Sequence, residues 1–494
     1  MAEREGERAG AVADSPEAAA STISRGLALL VAGSFFMEIL DGTVIAPAAP
    51  HIATDLGVRA VDINVAITGY VLTLGVLIPV SGWLADRFGA RRVFLTAVAI
   101  FTLASVGCAL AVDLPMLVST RVLQGVGGAM MVPVGRLVVL RTTAKANLVA
   151  VIAYLTWPAL IAPVLAPAIG GTLSTYASWR WIFLVNVPLG LVAFLLARRL
   201  VPDIRAERPV ALDRRGFALI AVGVAALVIG LESLGNTPPR PVTAVVALVV
   251  AAGALTAAVR SLLRSPKPLL DLRILKIPTY RVTAAGGTVF RAVITAIPFL
   301  LALFFQLGLG WSAAQAGLVV IALFVGNVAI KPTTTPLMRR LGIRTVMLVA
   351  IVASAACLVG MAFVTDATPL PLLLTLLAAS GVFRSVGMTT YNSVAFADVD
   401  SARMTHASTL NSTLQELGAG LGVAVGALLV RLGAPIGGAI GLGDGADQAF
   451  RVAFVLLAVL LVLPLTEGLL LDPAAGNAVT GHARSTGSRH RDQE

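Results

Sequence analysis

Long apolar runs broken by short polar knots dominate the chain. Fourteen runs are long enough to cross a roughly 30 Å hydrocarbon core as helices. The first six cover about 26–48, 63–84, 93–112, 115–139, 147–173 and 181–200, two more about 215–235 and 242–263, and the last six about 282–307, 313–337, 344–364, 369–395, 404–430 and 450–471. The pattern predicts an all-α, polytopic membrane protein with 14 transmembrane helices in total.

The polar knots repeat. GWLADRFGARRVFL (82–95) aligns with TPLMRRLGIRTVML (335–348): Leu84, Arg87, Gly89, Arg91, Val93 and Leu95 match Leu337, Arg340, Gly342, Arg344, Val346 and Leu348. Both stretches join the second and third spans of a six-span set. Small residues also recur at steps of four in the fifth span of each set: Ala162, Ala166 and Gly170, then Gly418, Gly422 and Gly426. Such stripes let helices approach closely in lipid. The reading is a duplicated six-helix unit: a tail at 1–25, an N-terminal six-helix bundle at 26–200, a cytoplasmic loop with two inserted helices at 201–264, a C-terminal six-helix bundle at 265–471, and a tail at 472–494. The inserted helices carry few polar groups apart from Glu232 and are expected at the periphery. Parallel repeats are one plan of secondary transporters, with the site between the halves.

Composition narrows the classes. The chain is 57% hydrophobic and 13% charged, where soluble domains carry about 25% charge. Its net charge of +11 does not imply nucleic acid, because most charges sit in short loops. Loops after even-numbered spans hold 21 Lys/Arg, whereas those after odd-numbered spans hold five: Arg59, Arg180, Arg240, Arg431 and Arg451. The positive-inside rule then puts the even loops and both termini in the cytoplasm. Trp179, Trp181 and Trp311 are expected near the outer interface and Trp83 near the inner one. Cys108 and Cys357 lie in apolar runs and the four histidines are scattered, so neither disulfide nor metal site is expected. The first 25 residues lack the short apolar core of a signal peptide. No GxxxxGK[ST] loop is present, and no nucleophile–base set marks an enzyme.

Several motifs together resemble the major facilitator superfamily. GWLADRFGARR is similar to its loop signature G-x-L-A-D-R-x-G-x-R-R, and RVLQGVGGAM (121–130) to its fourth-span motif R-x-x-Q-G-x-G-A. LDGTVIAPAAP (40–50) resembles the first-span motif of the fourteen-span drug/proton antiporter branch, and APVLAPAIGG (162–171) followed by WRWIFLVNVPLG (179–190) resembles that branch's fifth- and sixth-span region. The resemblance covers roughly 25–470. It implies the major facilitator fold, two pseudo-symmetric six-helix bundles plus two extra helices, and alternating-access export of amphipathic compounds such as drugs, driven by a proton gradient with no bound cofactor. The implied partners are the lipid bilayer, a small amphipathic substrate and protons. The expected form is a monomer in the cell membrane. One departure is that the antiporter motif G-x-x-x-G-P-x-x-G-G starts here with Ala162 and Ala166, before Pro167, Gly170 and Gly171.

Ionisable residues inside spans are costly, so each is a functional candidate. Glu38 and Asp41 stand three apart in span 1, hence on nearly one face; Arg121 and Gln124 do the same in span 4. The resemblance implies that Asp41 and Arg121 face the central cavity and take part in proton coupling. Burial and a neighbouring arginine act in opposite senses on a carboxyl's proton affinity, so moving the arginine would change it; the alternative is a fixed structural ion pair. In the second half Arg291, Arg384, Gln415 and Asn392 are expected to line the substrate cavity. Glu416 is either a second proton site or the partner of an arginine. The two arginines keep open a second function, a narrow carrier of an anionic or zwitterionic metabolite. Asn186 and Asn411 are expected to hydrogen-bond between helices, and Lys331 to snorkel to the inner surface.

The 82–92 knot is expected to be a conformational latch. Gly82 permits close helix approach, Gly89 suits positive φ, and Arg87 and Arg91 complete the motif. Asp86 is expected to dock at the N-terminus of span 13, near Met404, closing the inner face with roughly 1–2 kcal/mol.

Overall fold

The protein is seen here as a computed structural model, which describes residues 25–143, 148–205, 211–235, 240–266, 268–400, 403–439 and 447–472. All regular structure among them is helical, as lipid demands of a spanning chain that must satisfy its own backbone. The first set comprises α1 (Arg25–Leu56), α2 (Asn64–Phe88), α3 (Ala90–Ala109), α4 (Leu114–Thr142), α5 (Leu148–Tyr176), α6 (Trp181–Leu184) and α7 (Asn186–Leu200). A pair follows, α8 (Arg214–Gly235) and α9 (Pro241–Arg264). The rest are α10 (Pro278–Val282), α11 (Thr288–Leu303), α12 (Ala313–Ala329), α13 (Lys331–Leu341), α14 (Ile343–Ala362), α15 (Leu370–Ala395), α16 (Met404–Ala439), α17 (Gln448–Leu460) and α18 (Val462–Leu470).

Among the described residues twelve helices are long and apolar enough to cross a membrane, and thirteen if α12 and α13, bent by 50°, form one span. The fifth expected span, α5, overlaps residues outside the described side chains and stands apart from that count. The tails at 1–24 and 473–494 and the side chain of Glu232 also lie outside the described residues.

Three expected spans are broken, and proline explains each break. α6 ends at Leu184, four residues before Pro188; α17 ends at Leu460, four before Pro464; α12 ends at Ala329, just before Pro332 at the head of α13. A proline has no N–H for the carbonyl four residues back, and its ring crowds that carbonyl. Apolar run length carries none of this. Short π-helical turns at Thr283–Gly287 and Phe304–Gly308 flank α11.

Within the first set α1 packs on α5, α2 and α3 on α4, and α3 on α7. Within the last set α11 packs on α16, α12 and α14 on α15, and α14 on α17. These are the same pairings by position in each set. The aligned knots are also built alike. Gly89 (φ 95°) and Gly342 (φ 81°) both hold a conformation that costs any residue with a Cβ. Arg91 donates to the Arg198 carbonyl at the end of α7, and Arg344 to the Leu469 carbonyl at the end of α18 at 2.6 Å. Each arginine satisfies orphan carbonyls at a helix C-terminus.

The two sets meet through α2 with α16, α5 with α12, and α1 with α11, while α8 and α9 pack on each other and reach the rest chiefly through α8. Valine side chains of α9 remain open, Val242 at 75% and Val249 at 65% exposure, a face suited to lipid. The small-residue stripes lie at close crossings. A Cβ on Gly418 would meet Thr288, one on Gly422 the Ala292 carbonyl, and one on Gly426 Leu300 and Ala296. Gly170 likewise abuts the Val44 carbonyl, Gly171 that of Ala313, and Gly317 that of Pro167. Ala162 and Ala166 are fully buried.

The apolar core is asymmetric from end to end. One cluster holds the Val44–Ala53 part of α1 together with α11, α12 and α14–α17, so it joins the two sets. A second holds the Leu27–Met37 part of α1 with α3, α4 and α7, within the first set alone. A third cluster joins Leu72 of α2 to α8, the end of α15 and the Ala407–Leu410 start of α16, so the sets also adhere along α2 and α16, while a cavity opens beside Asp86. At the joined end Arg431 of α16 donates to Asp62 Oδ1 at 2.7 Å, and Gln306 donates to the Pro47 carbonyl at 3.0 Å.

Trp179 is not the interface anchor expected of it. It is 4% exposed, and its indole N–H donates to Asp55 Oδ2 at 3.1 Å. Trp181 is exposed, and Trp311 stacks on Phe305 at 5.0 Å.

Candidate functional site

Asp41 is the hub of a buried polar knot built by five helices. Its Oδ2 pairs with Arg121 Nη1, and its Oδ1 accepts from Gln124 Nε2 at 2.9 Å and Asn186 Nδ2 at 2.7 Å. Gln124 reaches Ser105 Oγ at 2.7 Å, and its own carbonyl accepts from Arg121 at 2.7 Å. The guanidinium carbon of Arg121 lies 4.1 Å from the ring centre of Tyr70. All six side chains are buried. The helix period delivers this geometry: Arg121 and Gln124 share one face of α4 and meet the one carboxylate that α1 turns toward them. The pair is held by a planar cation, two amides and an aromatic face, the combination that a buried charge requires.

Of the expected site residues, the structure brings together Asp41, Arg121 and Gln124, with Asn186 in its interhelical role. Tyr70 and Ser105 are additions. Neither is unusual for an apolar span, so neither carries a signal in the sequence.

Glu38 sits one turn from Asp41 in another setting. Its buried Oε2 has no hydrogen-bond partner, while Tyr70 OH donates to its backbone carbonyl at 3.3 Å. Glu416 of α16 and Asp41 lie within Coulombic reach of it. Gly128 leaves space beside the Glu38 carboxyl, and Gly75 lets α2 close on α16 against Glu416 and Leu417. Gly128, which stands where the fourth-span motif has alanine, thus clears room for a carboxyl as well as packing helices. Two acids, one from each set, face each other where the sets meet.

The other side of this region is cationic. Arg291 of α11 contacts Met388 Sδ at 3.8 Å and lies within Coulombic reach of Glu416. Arg384 of α15 lies 5.4 Å over the Phe324 ring. Gln415 donates to Asn392 at 2.6 Å. These two, Arg291, Met388, Tyr391 and Asn411 line a cavity of only about 10 Å³. Lys331 is a correction: it does not snorkel away, because its Nζ donates to Thr389 at 3.3 Å beside Arg384.

Asp86 also departs from expectation. Among the described residues its carboxylate has one partner, Arg141 at the end of α4, at 3.1 Å. His406, near the start of α16, stands across a cavity of about 500 Å³ that Asp86 also lines. The cavity keeps Asp86 from the start of α16, and its ion-pair partner comes from its own set. Gly82 has open space at its missing Cβ, so no close approach requires it here.

The family model described as the Major Facilitator Superfamily matches residues 31–423 and 283–488. "Putative multidrug resistance protein MdtD" of Salmonella heidelberg (strain SL476) is 36% identical over 396 residues, covering 78% of this chain and 82% of that protein. The protein of the same name from Salmonella typhimurium (strain LT2) matches with 36% identity over 78% of this chain and 82% of its own. Among solved structures the peptide transporter PepTSo, of the POT family, superposes with a TM-score of 0.65 at 14% identity, covering 91% of this chain and 99% of that one. The nucleoside transporter NupG does so with a TM-score of 0.57 at 14% identity, covering 90% and 98%. At such identities the structures speak for the fold alone.

Proposed function

The chain belongs to the major facilitator superfamily, and from that premise we propose that it is a proton-coupled exporter of amphipathic organic compounds. Its kinship with proteins named for multidrug resistance supports the cargo class. One observation carries the coupling: Asp41 is sealed in a knot with Arg121, one turn from Glu38, whose unpartnered carboxyl faces Glu416 of the other set.

The mechanism follows from those contacts. A proton on Glu38 or Glu416 removes the repulsion between the sets where they meet; its loss restores that repulsion. A proton on Asp41 removes the charge that holds Arg121 and loosens the helices of the knot at once. Proton and cargo then occupy the region in turn, and the protein moves only as far as their affinities for the two facing states differ.

We read the two sets as bundles, 26–200 and 265–471, that rock about this region. Their matched helix pairings and matched Gly89/Gly342 turns support the pseudo-symmetry. Adding α5 to the apolar helices gives fourteen spans, with α8 and α9 inserted at the periphery. The Lys/Arg bias puts both termini in the cytoplasm. The Asp62–Arg431 end is then outer, and the conformation seen here is closed outward. In the opposite state Asp86 leaves Arg141 for the start of α16 and latches the inner face.

The test uses purified protein in liposomes with an acid lumen and a lumenal pH dye. Adding an amphipathic compound outside is expected to raise lumenal pH as protons leave against its entry, and Asp41→Asn is expected to abolish the change. Uptake that is indifferent to collapse of the gradient would refute proton coupling.

A further inference from the structure

We propose that Arg291, Arg384 and Lys331 form an anion subsite that takes the carboxylate, or another acidic group, of the cargo. This rests on the exporter reading and adds a charge class to its substrate. Three helices, α11, α15 and α13, bring the three cations together: Arg384 lies within Coulombic reach of both Arg291 and Lys331. None of them forms an ion pair among the described residues, and Glu416 lies within Coulombic reach of Arg291. Arg291 Nε and Arg384 Nη1 are buried without any hydrogen-bond partner.

Arg121 differs from them in having a counter-charge, although its Nε and Nη2 are also buried without hydrogen-bond partners. It receives a carboxylate, an amide oxygen and the face of Tyr70. Arg291 receives only a thioether, Arg384 only an aromatic face and Lys331 only a hydroxyl. A buried cation without a counter-charge is costly. Three together are costlier, since each repels the next across a medium poorer in screening than water. Their free N–H groups have the geometry that recognises carboxylates. The counter-charge that the chain withholds is the one a ligand would bring. Of the three cations only Arg291 lines the cavity of about 10 Å³, so the ligand enters when the bundles part.

While Asp41 is ionised the first set supplies no rival for an anion, because Arg121 is neutralised by Asp41. Glu38 and Glu416 would instead attract a positive group on the same molecule. The arrangement therefore favours a zwitterion, with its acidic end toward α15 and its cationic end toward the two glutamates.

Rhodamine B, a zwitterion with a free carboxylate, and its ethyl ester, a cation on the same ring system, form the matched probes. Binding to the full-length protein in detergent is read by fluorescence anisotropy, on protein that elutes as a single species. The wild type is expected to bind the acid roughly tenfold or more tightly than the ester, the scale of a charged hydrogen bond. Arg384→Gln and Arg291→Gln are each expected to bring that ratio near one, and Arg384→Lys to keep part of it. Lys331→Gln is expected to lower it less.

Equal binding of acid and ester by the wild type overturns the subsite, as does a preference that survives both arginine substitutions, or no binding of either dye. Dye movement in liposomes separates this from the exporter reading. Proton-coupled movement of the ester without preference for the acid leaves the exporter and removes the subsite. Arginine-dependent preference with no movement of either dye keeps the subsite and removes drug export.

Discussion

Asp41 and Glu38 are one turn apart on α1 and should respond oppositely to loss of charge. Asp41→Asn leaves Arg121 as a buried cation without a counter-ion, a loss expected to cost about 3–5 kcal/mol. The melting temperature of the purified protein should fall clearly. Pairing it with Arg121→Gln should recover most of that stability, because both charges are then gone, while proton-driven transport stays lost. A double variant as unstable as the single one would show that the pair is not what holds the knot. Glu38→Gln removes a carboxyl that faces another carboxyl and donates to nothing; its melting temperature should not fall, yet coupled proton movement should drop at least tenfold. Much of this was legible in the sequence, since a charge in an apolar run stands out and a spacing of three puts Arg121 and Gln124 on one face. Tyr70 and Ser105 were not legible. A tyrosine or serine in a span is unremarkable until its neighbours from other helices are known.

At the scale of the helix, the α11–α16 crossing depends on glycine at one position and ignores it at another. A Cβ on Gly422 would be driven into the Ala292 carbonyl, whereas Gly438 on the same helix has nothing within 4 Å of its missing Cβ. Gly422→Val should therefore destabilise by about 1–3 kcal/mol, as overpacking does. Gly438→Ala should leave the melting temperature unchanged or slightly higher, as helix propensity favours. Equal effects at the two sites would mean that the stripe is not a packing seam. The step of four foretold this face, because that period is the helix's own. The breaks at Val185, Ile330 and Leu461 were not foretold from run lengths. They follow from Pro188, Pro332 and Pro464, and other prolines, such as Pro79 and Pro133, lie inside unbroken helices. Whether a proline breaks a helix depends on what else can satisfy the freed carbonyl, and tertiary packing decides that.

For the whole molecule, Asp62 and Asp86 hold opposite ends of one equilibrium. Arg431 and Asp62 join the bundles at the end that is closed here, with side chains only 10% and 20% exposed. Asp86 meanwhile rests on Arg141 within its own bundle, at 41% and 31% exposure for Arg141 and Asp86. The sequence showed Asp86 as an unusual charge in the repeat, since its counterpart is Arg339. It could not show the partner, because the partner belongs to a conformation, and one sequence encodes both conformations. A single reporter reads the two ends: Ala49→Cys on α1, a position fully buried in the closed outer end, treated with a membrane-impermeant maleimide. Arg431→Ala weakens the outer closure, so labelling should rise roughly threefold to tenfold, the scale of one partly buried ion pair. Asp86→Asn weakens the closure of the inner face in the opposite state, so labelling should fall. If both substitutions move the reporter in the same direction, Asp62 and Asp86 do not act on one two-state equilibrium, and the latch assigned to Asp86 must be given up. Opposite movements would tie the two ends to a single rocking motion, because a contact that touches only one state shifts the population by no more than its own free energy.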